Sequence, residues 1–369
     1  MNKCKRILLG QLAARGDCLY ATTISHQIKV DYPKCHLTWA IGSMCSSILI
    51  GNPYVDEIWE IPIVNHEDVY EAWQRFETEA SERKKKGDFD EVFLTQIFPN
   101  NFQNFDGSVR SSLFRGYPNP ITVPISPVLR LLPSEVEKVR YFSESNHIQA
   151  YKNVILFEYS SKSGQSFVTP YFALEVAHSL IRKFQDMCVI LSSDIPIQSN
   201  NERIIDGSVL SFRENAELTK YCTLLIGCSS GISWLSTSDW AKPLKMVQLL
   251  KKDKSIYGSF IYDFKYYNIS TKEIIEITDC PVERVVNCIE TIITKGFSEA
   301  RLLFSENIPL TFESYKQIHL NFLLGYKIKK SIILLLSNIE RHGFHWQIIK
   351  ITFRNIIAFS IHKLSKIIK

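Results

Sequence analysis

Short apolar runs alternate with longer amphipathic stretches along most of the chain. Residues 6–11 (RILLGQ) form an apolar run of the kind that fills a buried parallel strand. After a loop holding Gly16, Tyr20, Ile24 and Ile28 recur every four residues, which predicts a helix with one buried face. Asp31-Tyr32-Pro33 ends it, because the residue before a proline is pushed out of the helical conformation. Residues 36–41 (HLTWAI) and 55–61 (VDEIWEI) read as the next strands, 66–86 as a polar helix stopped at Gly87, and 89–94 (FDEVFL) as a fourth strand. Residues 97–133 carry Asn, Ser, Gly and the prolines 118, 120, 124, 127 and 133. They predict long loops, which in a compact domain are disordered or functional.

The alternation resumes at 153. Residues 154–157 and 188–191 are strand-like, with an amphipathic stretch between them that places Val176, Leu180 and Phe184 on one face. Ser211-Phe212-Arg213-Glu214 has the spacing of a capping box and predicts the start of a short helix. Residues 223–226 form a strand that runs directly into Gly227-Cys228-Ser229-Ser230-Gly231, and 244–249 continue the sheet. Pro281 opens a helix with Val282, Val285, Val286, Ile289, Ile292 and Ile293 on one stripe. Two successive strand–helix halves predict an α/β protein of two Rossmann-like, doubly wound domains facing a cleft, with ligands beyond the carboxyl ends of the strands. The expected limits are 1–148, 149–300 and a helical tail at 301–369.

Composition narrows the class. With 45% hydrophobic and 22% charged residues the chain is neither disordered nor fibrous. No apolar run approaches 18 residues, and residues 1–9 lack the length and cleavage site of a signal peptide. Nine cysteines without a Cys-x-x-Cys pair predict reduced thiols and a cytoplasmic location. The net charge of +5 is unevenly placed: from Lys316 onward ten Lys/Arg stand against one acid, Glu340, while the rest of the chain is net acidic.

Three loops are candidates for chemistry. In 10–17 (GQLAARGD) the glycines are six apart and no Gly-Lys-Ser/Thr follows, so neither a dinucleotide fingerprint nor a P-loop is present. Asp17 remains, as a helix-capping carboxylate or as a general base. In 226–235 (IGCSSGISWL), Ser229, Ser230 and Gly231 form either a plain strand-to-helix turn or a cradle for a diphosphate. In 159–170 (YSSKSGQSFVTP), Ser160, Ser161, Lys162 and Gln165 form either a solvated loop or a second phosphate contact. Glu217 is a surface residue or a ribose ligand. The histidines are scattered and no metal constellation stands out, so neither metal nor cofactor is expected.

The stretch ILLGQLAARGDCLYATTISHQIKVDYPKCHLTWAIGSMCSSILIGNPYVDEIWEIP resembles the opening of the ADP-heptose:lipopolysaccharide heptosyltransferase family, glycosyltransferase family 9. The matching pieces are Gly16-Asp17, Leu19, Ala21-Thr22, Tyr32-Pro33 and 52–57 (NPYVDE). The resemblance implies a GT-B fold and an inverting, metal-independent transfer of a sugar from a nucleotide-sugar donor to a lipid-linked or surface-glycan acceptor. It implies Asp17 as the base. In the second half the family's Asp-Ser-Gly-x-x-His corresponds to Ser229-Ser230-Gly231-Ile232-Ser233-Trp234, so the acid and the histidine are replaced. The family's Lys-Arg-Trp corresponds to Gln165-Ser166-Phe167. These departures leave open a non-catalytic nucleotide- or glycan-binding relative.

The tail adds a partner. Trp346, Ile349, Phe353, Ile356, Ile357, Ile361, Leu364 and Ile368 recur at helical spacing, with Lys350, Arg354, Lys363 and Lys366 between them. This is a basic amphipathic helix. It lies on an anionic membrane surface through residues 344–369, at the inner membrane face, or packs on the body; nucleic acid is not the expected partner.

Overall fold

The computed structural model describes residues 4–99, 101–161, 164–254 and 258–368. The first stretch runs β1 (Arg6–Gly10), α1 (Arg15–Asp31), β2 (His36–Gly42), β3 (Glu57–Ile61), α2 (Val69–Lys86), β4 (Glu91–Leu94) and α3 (Val109–Phe114). The four strands are parallel in the order β3-β2-β1-β4. The order reverses beside β1, where a ligand site of an open α/β sheet belongs. Gly10 ends β1 because a Cβ there would meet Leu94 and Phe76 at 2.7–2.8 Å. Leu8, Leu12, Ala40, Trp73 and Phe76 form the core on one side of this sheet. As the proline predicts, α1 stops at Asp31.

The second stretch contains α4 (Pro133–Ser145), β5 (Asn153–Glu158), α5 (Pro170–Lys183), β6 (Met187–Ser192), β7 (Ile204–Asp206), α6 (Glu214–Leu218), β8 (Leu224–Gly227), α7 (Gly231–Leu235), β9 (Lys245–Leu250), α8 (Phe260–Tyr266), β10 (Ile274–Thr278), α9 (Val282–Lys295) and α10 (Phe297–Phe304). Its six strands are all parallel, in the order β10-β9-β8-β5-β6-β7. Here the reversal lies between β5 and β8. The capping box is real: the Ser211 amide donates to Glu214 Oε2 at 2.6 Å and the Glu214 amide to Ser211 Oγ at 3.3 Å. Arg213 inside it is buried, forks onto Glu135 at 2.7 Å through two nitrogens, and donates to the carbonyls of Ser47 and Ile50.

Three helices follow: α11 (Glu313–Leu324), α12 (Ile328–His342) and α13 (Trp346–Ile368). By their backbone contacts the residues fall into two compact units. One comprises Met1–Ser46, Tyr54–Val123 and Leu310–Lys369; the other comprises Ser47–Pro53 and Pro124–Pro309. The expected limits were 1–148, 149–300 and a separate tail. The division instead falls near 123, and the tail belongs with the first sheet. The cause is packing: Phe312, Tyr315, Leu334 and Ile348 share a core with Phe105.

That packing also corrects the reading of 97–133 as loops. Within it lie α3 and a buried polar knot around Asp106. The carboxylate accepts from the Ser108 amide and hydroxyl (both 2.9 Å), Ser111 Oγ (2.6 Å) and Arg115 Nη1 (2.7 Å), while Arg115 Nε reaches Glu340 at 3.0 Å. Burial alone would raise the Asp106 carboxyl, but the Arg115 and Arg341 charges and the Ser111 hydroxyl hold it below the usual carboxylate range. A depressed folded value stabilises the fold above the unfolded carboxylate range, near pH 4, and that contribution is lost as the pH falls further. Asp106→Asn is expected to lower stability by about 3–5 kcal/mol, because it removes the buried charge that pairs with Arg115 and one of the two oxygens that the Ser108 and Ser111 hydroxyls share. Urea unfolding at pH 7 checks this.

Candidate active site

The loop after β1 is pinned from several sides. Gln96 Oε1, just past β4, accepts from the amides of Leu12 (2.7 Å) and Ala13 (3.0 Å). The Gly42 amide donates to the Leu12 carbonyl at 2.9 Å, and Trp39 Nε1 donates to the Gln11 carbonyl at 3.1 Å. This fixed loop delivers Asp17 in the first turn of α1. The cap position is Ala14, with no side-chain cap hydrogen bond. Asp17 is therefore not tied up as a cap. Among the described residues no hydrogen bond or ion pair engages its carboxylate. It is partly exposed, and burial pushes its carboxyl up to about 7. An unpaired carboxylate titrating near neutrality has the property a general base requires. At neighbouring Gly16, a Cβ would meet nothing within 4 Å. The space in front of it is open.

The turn after β8 differs from expectation. Its amides were expected to cradle an anion, and the protein's own Glu158, the last residue of β5, already supplies one. Glu158 Oε2 accepts from the amides of Cys228 (3.1 Å) and Ser230 (3.3 Å), and Oε1 from the amide of Ile232 (2.8 Å); Ser233 Oγ also donates to it. Burial raises the Glu158 carboxyl above its ordinary value, and the Ser233, Cys228, Ile232 and Ser230 donors offset that only in part. Ser229 adopts a left-handed backbone (φ 49°), held by its amide on Gln248 Oε1 (2.8 Å) and by Gln165 Nε2 on its carbonyl (2.7 Å). Gly227 permits the arrangement, since a Cβ there would lie 2.2 Å from Ser233 Oγ.

The remaining predicted positions separate into two groups. Ser160 and Ser161 lie just past β5, partly exposed, with no hydrogen bond among the described residues; Ser230 and Gly231 are also partly exposed. These residues flank the reversal between β5 and β8. Ser229 and Gln165, by contrast, are buried and bonded to the fold. Glu217 is buried, and its Oε2 accepts from Trp240 Nε1 (2.7 Å) and Lys220 Nζ (2.6 Å), so the fold accounts for it without a ligand. Lys162 lies outside the described residues. Trp234, in the place of the family's histidine, is buried and stacks on Phe260 with ring centroids 3.6 Å apart. Sequence reasoning missed Glu158, Gln96 and Gln248. The available signal was an acid closing an otherwise apolar strand, NVILFE. Among the described residues no group of three or more His, Cys, Asp or Glu is placed to hold a metal.

No family model and no curated protein matches the chain. Solved structures do. A glycosyl transferase family 9 protein from Veillonella parvula is 14% identical with a TM-score of 0.54, covering 81% of this chain and 94% of that one. The ADP-heptose lipopolysaccharide heptosyltransferase II of E. coli is 12% identical with a TM-score of 0.50, covering 79% and 99%. At such identity the likeness speaks to the fold. The chain has the α/β fold of these GT-B glycosyltransferases, with two parallel sheets, as the N-terminal motif predicted.

Proposed function

We propose that the chain is a glycosyltransferase that moves a sugar from a nucleotide-sugar donor to a lipid-linked or surface-glycan acceptor, with inversion at the anomeric carbon and without a metal. The observation that carries the reading is Asp17: an unpartnered carboxylate in the first turn of α1, behind a fixed loop at the reversal of the first sheet, with its carboxyl near 7. The acceptor hydroxyl gives its proton to Asp17 as its oxygen attacks the anomeric carbon. The bond from that carbon to the diphosphate breaks, and the nucleoside diphosphate leaves with the electron pair. That the similar E. coli protein is named for ADP-heptose supports a nucleotide sugar as donor.

The occupied turn bears on the proposed donor position. With the amides of Cys228, Ser230 and Ile232 already on Glu158, the diphosphate meets the hydroxyls of Ser160, Ser161 and Ser230 and the Gly231 amide. The same observation favours the second reading, a binding protein without turnover. Thermal unfolding against ADP-, UDP- and GDP-sugars tests both. At a hundredfold excess over Kd one donor is expected to raise Tm by about 5 °C or more, and transfer should follow on an acceptor panel. Protection without transfer supports the binder. No protection by any nucleotide contradicts both.

A further inference from the structure

The last two helices each leave a row of large apolar residues in solvent. On α12 the buried residues include Ser331, Ser337 and Asn338, whose side chains turn inward: Asn338 Nδ2 donates to the Phe105 carbonyl at 2.9 Å and Ser337 Oγ to the Gln103 carbonyl at 3.3 Å. Ile328, Ile332 and Leu336, four residues apart, are exposed. On α13 the inward side combines Ile348, buried in the core with Tyr315 and Leu334, with polar contacts. Asn355 Nδ2 donates to the Lys316 carbonyl at 2.9 Å and lies 3.2 Å from His319 Nδ1, and Thr352 Oγ1 lies 2.6 Å from the Tyr315 hydroxyl. The outward residues are Trp346 (69% exposed), Phe353 (67%), Ile357, Ile361 (63%) and Leu364 (59%), at i, i+7, i+11, i+15 and i+18. The helix thus seats Ile348, Thr352 and Asn355 against the protein and leaves a separate stripe of aromatic and branched residues in solvent. A helix that only packs on a water-soluble body turns charged and polar residues, not such a stripe, to the solvent.

We propose that this outward face of α13 docks on an anionic lipid surface. The charge pattern chooses the occupant. Lys350, Arg354 and Lys363 are exposed along the apolar stripe, none is in an ion pair among the described residues, and no acid follows Glu340. An apolar stripe edged by cations suits a surface with anionic headgroups above hydrocarbon. A bare phosphate backbone would match the cations and leave the Ile, Phe and Trp side chains in water. Among the described residues no helix is long and apolar enough to cross a membrane, so α13 lies along the surface. The inward polar bonds keep the helix seated on α11 while its other face enters the lipid, so docking needs no refolding.

The test is co-sedimentation of the full chain with vesicles of phosphatidylglycerol and phosphatidylethanolamine, and with pure phosphatidylcholine vesicles. The protein is expected to bind the anionic vesicles at least tenfold more tightly, and less so at 0.5 M salt. Two variants, Trp346→Ser/Phe353→Ser/Ile361→Ser and Lys350→Glu/Arg354→Glu, change only exposed side chains; each is expected to lose at least tenfold in binding with unchanged far-ultraviolet circular dichroism and an unchanged urea midpoint. Equal binding to both vesicle types, or binding that survives both variants, overturns the proposal. So does a dimer that the first variant dissociates in a wild-type protein that ignores vesicles, since the stripe then belongs to a second copy.

Discussion

Asp17→Asn is expected to lower the transfer rate by about 10²–10⁴-fold while making the folded protein more stable above neutral pH. The two effects share one cause. Burial holds the Asp17 carboxyl near 7, against an ordinary value of 3.8. A folded value raised above the unfolded one means that the folded chain keeps a proton the unfolded chain has released. Stability therefore falls as pH rises from about 4 to about 7, with a ceiling of about 4 kcal/mol for three units of pH. Partial exposure lowers that to about 1–3 kcal/mol. Asparagine carries no charge to desolvate, so the variant should regain this amount at pH 8 and almost nothing at pH 4. Urea unfolding at the two pH values, run beside the transfer assay, separates a base from a structural residue. A structural residue would cost stability when replaced; this one should return it, the usual trade between function and stability. A variant that turns over normally, or that is weaker at pH 8, contradicts the assignment.

Glu158→Ala is expected to be among the most damaging single changes in the second unit, costing about 3–5 kcal/mol. Three amides and the Ser233 hydroxyl converge on this carboxylate inside the sheet's carboxyl edge. Removing it leaves the amides of Cys228, Ser230 and Ile232 without this acceptor and leaves Ser233 Oγ only Gln248 Oε1 at 3.3 Å; an unsatisfied buried donor is worth about 1–3 kcal/mol, offset in part by entering water. Glu158→Gln keeps the volume and one acceptor oxygen but turns an N–H₂ toward donors, and should lie between wild type and alanine. The order wild type, glutamine, alanine in denaturant midpoint supports an internal anion that organises the turn. Wild-type stability in the alanine variant would mean that the turn needs no anion and that its amides are free for a ligand.

How much of this was legible beforehand depended on whether the deciding interactions were local. The end of α1 was readable because Pro33 acts on its own neighbour, and the capping box at Ser211–Glu214 because both partners lie within one turn. β10 was missed. Its sequence IIEIT looks half exposed, yet Glu276 is fully buried and reaches Ser259 Oγ at 2.8 Å and the Ile261 amide at 3.0 Å. β7 was missed because three residues carry no period. The buried knot at Asp106 drew on Arg115 and on the distant Glu340, so 97–133 looked like loop. At the candidate site the pattern was the same. The position of Asp17 at the start of α1 was readable because it depends on the adjacent strand and helix. Ser229 to Gly231 read as an open anion cradle because the carboxylate that fills it lies seventy residues earlier and meets the turn only through the pairing of β5 with β8. The tail helix was recognised, but not its rotation: which stripe faces the protein was decided by Tyr315, His319 and the carbonyl of Lys316 on another helix.

The most direct measurement is the titration of the Asp17 carboxyl itself, which needs neither donor nor acceptor. Carboxyl carbon resonances of protein labelled at aspartate, compared between wild type and Asp17→Asn, isolate the one signal that disappears. A midpoint near pH 7 is the predicted result, and it places a proton-accepting group of suitable strength beside the first sheet. A midpoint near 4 would describe an ordinary solvated aspartate and would contradict the account.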